Sequence, residues 1–573
     1  MHDLVISNGT IVDGTGADRF VGSVAIDGDT IVDVGADVGP ARRTIDADGR
    51  LITPGFVDAH THYDGQATWD PDLAPSSWHG VTTVVMGNCG VGFAPVRPGE
   101  RDFLIRMMEG VEEIPGAALA EGMSWDWQSF PEYLDSLDAD ERAIDIVAQV
   151  PHCALRAYVM GPERADDDEA TPDDIAEMAR LTEGALRAGA LGFSTSRTML
   201  HRVKGGDVVP GTHCNPDELV GIAGALGRVG HGVFQMISDQ MGNDPDYPWM
   251  TEIARITGRP LVFSLVQSRQ APDSFHATLD RLDASFRDDG LDIRASAGWR
   301  PPGVLMGLQA TLNPFLLHPT FATLAHLPFD DLVAQLRRPE IRAQLLAEDA
   351  VDRGPFLRHV FVDWSNHFPL GDPPDYEPSA ADSIEARAAA AGCTPAEFAY
   401  DTLLQNDGRQ LVYYPLSYPE QNFDALHDML THPRSTASLS DGGAHVGTVC
   451  DASFTTYMLT HWARDRSRGQ TIPLEHVIRK QTSETAHLYQ LDDRGVIAPG
   501  QRADVNLIDF DALHLHAPYM AFDLPGGSKR LLQRADGYVA TVAGGEVIAE
   551  EGELTGARPG RLVRGPQSSD RSR

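Results

Sequence analysis

The amino-acid sequence predicts an α/β fold with three parts: a (β/α)8, TIM-like barrel, a small β-sandwich domain built from both chain ends, and a subdomain inserted into the barrel. Three observations predict it. Eight short apolar runs separated by helix-length segments follow Pro54, strand-like runs joined by tight turns fill the residues before it, and strand-like runs return after Arg502. Strands that alternate with helices are typical of a parallel sheet covered by helices, and eight of them are typical of a barrel.

The first 54 residues carry a β pattern. Apolar and polar residues alternate in three runs, LVISNGTIVDG, VGSVAIDGDTIVDVG and RTIDADGRLITPG. The Asn-Gly and Asp-Gly pairs in these runs are typical of the two-residue turns of β-hairpins. Because no stretch of helical periodicity interrupts the runs, residues 1–54 are predicted as the first part of the β-sandwich.

The predicted barrel spans residues 55–490. Its helices are segments such as TPDDIAEMARLTEGALRAG, where Thr171 is placed to cap the helix and Asp174 follows three residues later. The eight strand-like runs, in chain order, are FVDAHTH, VTTVVMGNCG, DIVAQVPH, LGFSTS, GVFQMISD, PLVFSLVQS, LDIRASAG and TASLSDGG.

The seventh and eighth runs are too far apart for a single connection. Residues 299–435 between them contain helical patterns such as FDDLVAQLRRPEIRAQLLAED, and they are predicted as an inserted subdomain. Strand patterns return in RADVNLIDFD and YVATVAGGEVIAEEG, so residues 491–560 are predicted as the second part of the β-sandwich. The polar residues 561–573 are predicted as a disordered tail.

The composition excludes several classes of function. The formal net charge of -37, from 46 basic and 83 acidic residues, would repel nucleic acid and anionic membranes. No apolar run approaches the ~18 residues of a membrane-spanning helix. The five cysteines are odd in number and scattered, and the first residues lack the pattern of a signal peptide, so a cytoplasmic location is expected. The expected partner is therefore a small-molecule substrate, with no nucleic acid and no membrane.

Metal-binding side chains fall at the carboxyl ends of three runs, where a barrel assembles its site. His60 and His62 end the first run, and residues i and i+2 of an extended segment project to the same side. Cys89 ends the second run and Asp441 ends the eighth. Imidazole, thiolate and carboxylate are all zinc ligands. Each residue alone has an ordinary structural explanation, but their coincidence predicts a metal site.

On these motifs the chain resembles the amidohydrolase superfamily, and within it the N-acyl-D-amino-acid deacylase (D-aminoacylase) group. The segments that carry the resemblance follow the family's order along nearly the whole chain; they are GFVDAHTH, GNCG, VPHCALRAYVMG, GFSTS, SDGGAH and RGVIAPGQRADVNLIDFD. GNCG narrows the match, because in this group a cysteine takes the part of the carboxylated lysine that bridges the metals in most binuclear relatives.

The resemblance implies a zinc-dependent hydrolase of a linear C–N amide bond, acting on an N-acyl (D-)amino acid or a similar compound by attack of metal-bound hydroxide. It assigns His60, His62 and Asp441 to the more exposed metal. It assigns Cys89 to the deeper metal or to a bridge between the two. Asp441 is also the implied general base, and afterwards the acid that protonates the leaving amine.

Two further residues match a segment of the family's site wall. His152 and Arg156, in VPHCALR, are candidates for substrate binding, and an arginine there could pair with a substrate carboxylate. A structural ion pair explains Arg156 equally well. By analogy with the family, a homo-oligomer is also expected.

The chain departs from the family at its fifth and sixth runs, where relatives supply two further histidines to the deeper metal. GVFQMISD and PLVFSLVQS contain no histidine, and amide and hydroxyl oxygens replace imidazole poorly on zinc. Two arrangements of one or two zinc ions stay open. A single metal could be held by the first-run histidines and Asp441, with or without Cys89. Alternatively, His201 and His213 from the loop after the fourth run could complete a second site.

Two other functions also stay open at this stage. The same chemistry could hydrolyse a cyclic amide or another C–N bond, although the lack of a bridging lysine disfavours the cyclic-amide groups. From a different class, the chain could be a catalytically silent barrel that binds a ligand or a partner.

Overall fold

The structure, a computed structural model, describes residues 1–239, 246–351 and 360–568. Strands occur in the eight apolar runs and in a separate sheet built from the two chain ends. In chain order they are β1 His2–Ile11, β2 Phe20–Asp27, β3 Thr30–Gly35, β4 Ala41–Asp46, β5 Leu51–Pro54, β6 Phe56–Asp58, β7 Val81–Met86, β8 Asp145–Ala148, β9 Val150–Pro151, β10 Gly192–Arg197, β11 Val233–Ser238, β12 Leu261–Leu265, β13 Ile293–Ala297, β14 Gly303–Met306, β15 Phe368–Pro369, β16 Val412–Pro415, β17 Ser435–Ala437, β18 Val505–Ile508, β19 His514–Leu515, β20 Tyr519–Leu524, β21 Ser528–Leu532, β22 Ala535–Asp536, β23 Tyr538–Ala543, β24 Glu546–Glu550 and β25 Glu553–Leu554.

Helices fill most of the segments between the buried strands. They run over Arg101–Val111, Gly116–Gly122, Phe130–Ala139, His152–Met160, Pro162–Asp167, Pro172–Ala188, Pro216–Val229, Tyr247–Thr257, Ser274–Asp289, Pro319–Leu324, Phe329–Leu336, Pro339–Ala347, Ile384–Ala391, Pro395–Leu403, Asp424–Thr431, Phe454–Tyr457, Leu474–Gln481 and Ser483–Leu488, with a π-helix over Met458–Asp465. The predicted cap is confirmed, because the Thr171 hydroxyl accepts from the Asp174 N–H and the Asp174 carboxylate accepts from the Thr171 N–H.

Each of the eight apolar runs contains a strand, and these strands pair in parallel. β6, β7 and β8 form one sheet, and β9, β10, β11, β12, β13 and β17 follow one another in a second. β7 and β12 are buried over their whole length, which explains why their sequences are nearly continuous apolar runs. The prediction of an α/β fold is confirmed.

The two parallel sheets meet at both ends. Only Gln149 separates β8 from β9 along the chain. At the other side, Thr61 after β6 pairs in parallel with Gly442 after β17. The His62 N–H donates to the Gly442 carbonyl at 2.7 Å, and the Asp441 N–H donates to the His60 carbonyl at 3.1 Å. The first and eighth runs are therefore neighbours, which brings their polar ends together.

Both chain ends contribute to one nine-stranded sheet. Its order is β25-β24-β23-β18-β5-β1-β2-β3, with β4 pairing with β1. β5 and β18 join the two halves antiparallel, from Leu51 opposite Ile508 to Pro54 opposite Val505. The two ends therefore share a sheet; the sandwich arrangement and the domain boundaries stay predictions.

The segment between the seventh and eighth runs has its own small core. β14, β16 and β15 form an antiparallel sheet, and apolar side chains from this sheet and the nearby helices pack in a separate cluster. The run FDDLVAQLRRPEIRAQLLAED is two helices rather than one, because Pro339 starts the second helix and cannot continue the first. Residues 352–359 lie outside the described residues.

The first part of the segment that is predicted as a disordered tail is structured instead. Leu562 and Val563 are buried, Leu562 bridges in parallel to Ile146, and the Val563 N–H donates to the Ile146 carbonyl. Residues 561–568 are therefore structured, because two apolar side chains in an otherwise polar stretch pack beside β8; residues 569–573 lie outside the described residues. Across the described part of the chain, no helix is both long and apolar enough to cross a membrane.

Candidate metal centre and active site

His60 and His62 stand directly after β6. Both side chains are buried, and their rings lie edge to face with centroids 5.5 Å apart. Local hydrogen bonds fix this segment: the Asp58 carboxylate accepts from the His60 N–H at 3.3 Å, and the Thr61 hydroxyl donates to the Val85 carbonyl of β7. The segment between the two imidazoles is therefore anchored on both sides. Asp58 therefore holds the backbone of His60 and is not a member of the group of metal donors.

Cys89 reaches the same place from the turn after β7. Its backbone lies in the left-handed region, with φ of 55°, which costs a non-glycine residue ~1–3 kcal/mol and is typical of functional sites. Gly90 has φ of 74°, and a Cβ there would stand 2.8 Å from the Ser196 nitrogen. This tight turn places the Cys89 Sγ 3.2 Å from the His60 Nε2.

Asp441 completes the group from the end of the eighth run. Its backbone is also left-handed, with φ of 49°. The Asp441 Oδ1 lies 3.4 Å from the His60 Nε2 and 3.8 Å from the His62 Nε2. The side chain is 24% exposed, whereas those of the two histidines are almost fully buried, so Asp441 is the member of the group that faces solvent.

The donor set fits a divalent cation such as zinc. The ligand atoms of His60, His62 and Cys89 lie within 4.8 Å of one another, and the Asp441 carboxylate is beside both imidazoles. Donors of a tetrahedral zinc site stand about 3.3 to 3.7 Å apart, so small side-chain rotations bring these atoms to ligand spacing. Two imidazole nitrogens, a thiol and a carboxylate are zinc donors, whereas magnesium and calcium prefer oxygen alone.

Burial controls the protonation of these groups. It lowers the pKa of His60 to about 3 and that of His62 well below its ordinary value, so both rings are neutral and keep a lone pair for a metal. Burial raises the pKa of Asp441 to about 7, against the opposing effect of His445, and raises the pKa of the Cys89 thiol well above its ordinary value. A bound cation would favour loss of both protons.

Two members of the site were missed by the sequence analysis. Glu112 follows the helix Arg101–Val111 and is buried, with its Oε1 3.4 Å from the His62 Nδ1 and its Oε2 3.4 Å from the His445 Nε2. Neither carboxylate oxygen has a hydrogen bond to another described residue, and burial raises the pKa of Glu112 well above its ordinary value. No motif points to Glu112, whereas His445 ends the quoted motif SDGGAH and could have been recognised there.

Among the described residues, no side chain of the fifth and sixth strands joins the group of metal donors around His60, His62 and Cys89. The Gln235 Oε1 of β11 accepts from the Cys89 N–H at 2.9 Å, so Gln235 positions the backbone of the cysteine. The Ser264 hydroxyl of β12 is buried and has no hydrogen bond to any described residue, and the Gln267 amide reaches Glu420 at 3.3 Å. The structure therefore brings together the predicted donors of the first, second and eighth runs.

The two loop histidines behave differently. His201 is buried, its Nδ1 lies 3.0 Å from the Ser196 hydroxyl, and burial lowers its pKa to about 3, with further lowering by the nearby His445 and His60. His201 therefore lies close enough to the site for its pKa to depend on His60 and His445. His213 is exposed. The structure does not bring the pair together as ligands of a second ion, and that assignment stays a prediction.

His152 and Arg156 lie in a buried network with Glu218. The His152 Nε2 is 2.9 Å from Glu218, its Nδ1 is 2.9 Å from the Thr195 hydroxyl, and Arg156 forms an ion pair with the same glutamate. Arg156 also donates to the carbonyls of Ala165 and Asp168. The guanidinium is thus engaged on several sides, which favours the structural explanation over the prediction of substrate binding.

Known proteins resemble this chain in sequence and in fold. The model of a family described as the amidohydrolase family matches residues 43–549. The D-aminoacylase of Alcaligenes xylosoxydans xylosoxydans is 26% identical over 98% of this chain and 97% of its own length. Two solved structures share the fold, each with a TM-score of 0.64 over 98% of this chain. One is a D-aminoacylase studied for its binuclear metal center, 24% identical over 100% of that chain; the other is the N-acyl-D-glutamate deacylase of Bordetella bronchiseptica complexed with zinc and a phosphonate inhibitor, 23% identical over 99% of that chain.

Proposed function

The chain belongs to the amidohydrolase family, and from that premise we propose that this hydrolase is a metal-dependent deacylase that cleaves the linear amide bond of an N-acyl (D-)amino acid or a similar compound. One observation carries the proposal: His60, His62 and Cys89 converge, and Asp441 lies beside both imidazoles. These donors come from three separate parts of the chain. A buried, neutral pair of imidazoles beside a thiol and a partly exposed carboxylate is suited to hold a metal at a solvent-accessible edge.

The proposal includes a closed (β/α)8 barrel. The consecutive parallel pairing of the eight runs supports it, as does the contact between Thr61 and Gly442 that joins the first run to the eighth. In such a barrel the active site lies at the carboxyl ends of the strands. His60, Cys89 and Asp441 all follow the carboxyl ends of their strands, which supports the same location here.

We propose a single zinc ion held by His60, His62, Asp441 and Cys89. Zinc is named for the solved N-acyl-D-glutamate deacylase, and the mixed nitrogen, sulfur and oxygen donors here suit the same ion. A second ion is disfavoured because Gln235 and Ser264 stand on the fifth and sixth strands and offer only oxygen. When bound, the ion would act as a Lewis acid on the scissile carbonyl and lower the pKa of water.

Asp441 is the proposed proton carrier. Its carboxylate lies beside both imidazoles, where it could accept a proton from the attacking water and return it to the leaving amine. Its partial exposure gives the carboxylate contact with solvent and with an entering substrate. The Asp441 N–H is held by the His60 carbonyl, and the preceding residue, Ser440, donates its hydroxyl to Asp58. The carboxylate is therefore presented from a fixed backbone.

The substrate class rests on the relatives. The D-aminoacylase that matches 98% of this chain is named for an aminoacylase reaction on the D-series. We propose N-acyl-D-amino acids as the substrates to test first, with the amine end as the leaving group that Asp441 protonates.

The test combines metal analysis with a substrate panel. Purified protein is measured for bound zinc and assayed on matched N-acyl-D- and N-acyl-L-amino acids. We expect zinc in the wild type, one ion per chain less in His60→Ala, and a preference for the D-series. The variants Asp441→Ala and His60→Ala should each lower kcat by about 10²–10⁴-fold. His427→Ala serves as a control with unchanged rates, because the His427 imidazole lies 3.4 Å from Asp428 and belongs to no group of three metal donors in the described residues.

Two outcomes would contradict the proposal. Protein that binds zinc but hydrolyses no member of the panel would favour a silent ligand-binding barrel or another C–N bond. Normal rates in Asp441→Ala would contradict the assignment of the proton carrier even if the substrate were correct.

A further inference from the structure

A second group of metal-binding side chains lies at the surface, away from the candidate active site. Asp372, His514 and His516 each offer one ligand atom, and the three atoms lie within 4.8 Å of one another. Asp372 belongs to the segment between the seventh and eighth runs, whereas the histidines belong to β19 and the residue after it. We propose that this group is a structural zinc site that ties the inserted segment to the C-terminal strands; the proposal does not depend on the catalytic one.

The two histidines are spaced and held as a pair of ligands. They are two residues apart in an extended segment, so their side chains project to one side of the strand. Their ring centroids are 4.8 Å apart with planes at 74°. The His516 N–H donates to the Arg534 carbonyl at 3.0 Å, and the Gln533 amide donates to the His516 carbonyl at 2.7 Å. The backbone of the pair is therefore fixed by the neighbouring β22 segment.

Two carboxylates complete the group from either side. The Asp372 Oδ1 accepts from the Ala517 N–H at 3.1 Å, which anchors this aspartate beside the histidines. Asp536 lies directly opposite His514 in the β19–β22 pair, and its Oδ2 is 2.9 Å from the His516 Nε2. If His516 binds through Nδ1, Asp536 orients the ring as a carboxylate commonly does behind a zinc-binding histidine. If His516 binds through Nε2, Asp536 is the fourth ligand.

The chemistry of the group matches zinc. Two neutral imidazoles and two carboxylates would balance the charge of a divalent ion, and donors of a tetrahedral site stand about 3.3 Å apart. The ligand atoms lie within 4.8 Å of one another, so their spacing has to close by at most about 1.5 Å, and the Asp372 and Asp536 side chains are exposed. The acidic surface of the whole chain, with its net charge of -37, also raises the local concentration of cations.

A third cluster shows why proximity alone is not enough. His152, Cys214 and Glu218 also bring their ligand atoms within 4.8 Å. There the Arg156 guanidinium forms an ion pair with Glu218, so a cation would have to displace a positive charge from a buried carboxylate. At the surface group, in contrast, the residue bound to His516 is the carboxylate of Asp536.

The site would act as a cross-link. A ligand that binds only the folded protein raises its stability, and this ion would join residues more than a hundred positions apart in the chain. We expect added zinc to raise the Tm of the full-length protein. The rise should be smaller in His514→Ala, because this variant lacks the surface site.

The experiment counts zinc ions by calorimetric titration of the full-length protein, in the wild type and in His514→Ala. Both are also prepared with His60→Ala, which weakens the candidate catalytic site. We expect the wild type to bind one more zinc ion than His514→Ala. We also expect His60→Ala to bind one more zinc ion than the double variant with His60→Ala and His514→Ala. Asp372→Asn should weaken this ion by at least about tenfold, and Asp536→Asn by about 10–100-fold.

The matched control is His487→Ala. His487 is also an exposed histidine, with its Nδ1 2.7 Å from Asp492, but it belongs to no group of three ligands in the described residues. Its zinc count should equal that of the wild type. The proposal is overturned if His514→Ala binds as many zinc ions as the wild type with the same affinities. Circular dichroism without added zinc checks that the variants are folded.

Discussion

Glu112 is the side chain whose replacement tests the geometry of the candidate metal centre most directly. It is buried, it touches no metal donor atom of the proposed set, and its Oε1 lies 3.4 Å from the outer nitrogen of His62. A carboxylate behind a metal-binding histidine fixes the orientation and the tautomer of the ring. We therefore expect Glu112→Gln, which keeps the size and replaces the carboxyl group by an amide, to weaken zinc binding while the four proposed ligands stay in place.

The expected size follows from the contact that is lost. Removing such a supporting carboxylate lowers metal affinity by about 10–100-fold, which corresponds to about 1.4–2.7 kcal/mol at 25 °C. The effect should fall within this range because both Glu112 oxygens are buried and His62 Nδ1 has no hydrogen bond to another partner in the described residues. Glu112→Asp should restore part of the affinity, since the carboxylate is kept at a shorter reach.

The assay is competition for zinc against a chelating indicator at fixed pH. Glu113→Gln is the matched control, because Glu113 is the adjacent residue, has the same side chain and accepts from the Thr448 hydroxyl at 2.6 Å instead of facing an imidazole. Equal zinc affinity in the two variants would refute the reasoning, since the loss would then reflect charge alone or no effect at all. A loss confined to Glu112→Gln supports the contact with His62.

Four further predictions concern protonation and backbone. Because burial raises the pKa of the Cys89 thiol well above its ordinary value and that of Asp441 to about 7, both groups carry protons that a cation displaces, so zinc affinity should rise with pH between about 6 and 8. Cys89→Ser should release about one proton fewer on zinc binding at pH 7, measured by calorimetry in buffers of different ionisation enthalpy; an unchanged count would show that the thiol is not a ligand. Gly90→Ala should lower the free energy of unfolding by about 1–3 kcal/mol, because a side chain there is strained at φ of 74° and meets the Ser196 nitrogen; urea denaturation measures it. Thr171→Ala removes a helix cap and should cost about 1 kcal/mol in the same assay, with zinc affinity unchanged; a change in affinity would contradict its purely local role.

The strands were predictable because their signal is local. A buried parallel strand needs a nearly continuous apolar run, and β7 and β12 show one in the sequence itself. The cap at Thr171 is likewise set by residues three positions apart. Tail burial was not predictable, because Leu562 and Val563 form only a two-residue signal, and their burial depends on β8, which lies far away in the chain.

For the site, the sequence determined the donors, and the tertiary structure decided which of them meet. His60 and His62 share a side through strand periodicity, and Cys89 and Asp441 stand at strand ends, so their types and positions were readable. Glu112 was not readable, because a glutamate after an ordinary helix can be recognised as part of the site only once packing buries it against His62. In the described residues its carboxylate has no hydrogen-bond partner.

The same reason separates the other candidates. Arg156 is readable as a substrate ligand or as an ion-pair partner, and only the burial of Glu218 beside it favours the second. Asp372 carries no local signal at all, since its histidine neighbours lie more than a hundred residues further along the chain. Sequence patterns report on neighbours in the chain and on burial, whereas the pairing of charges and metal donors across distant segments depends on how those segments pack.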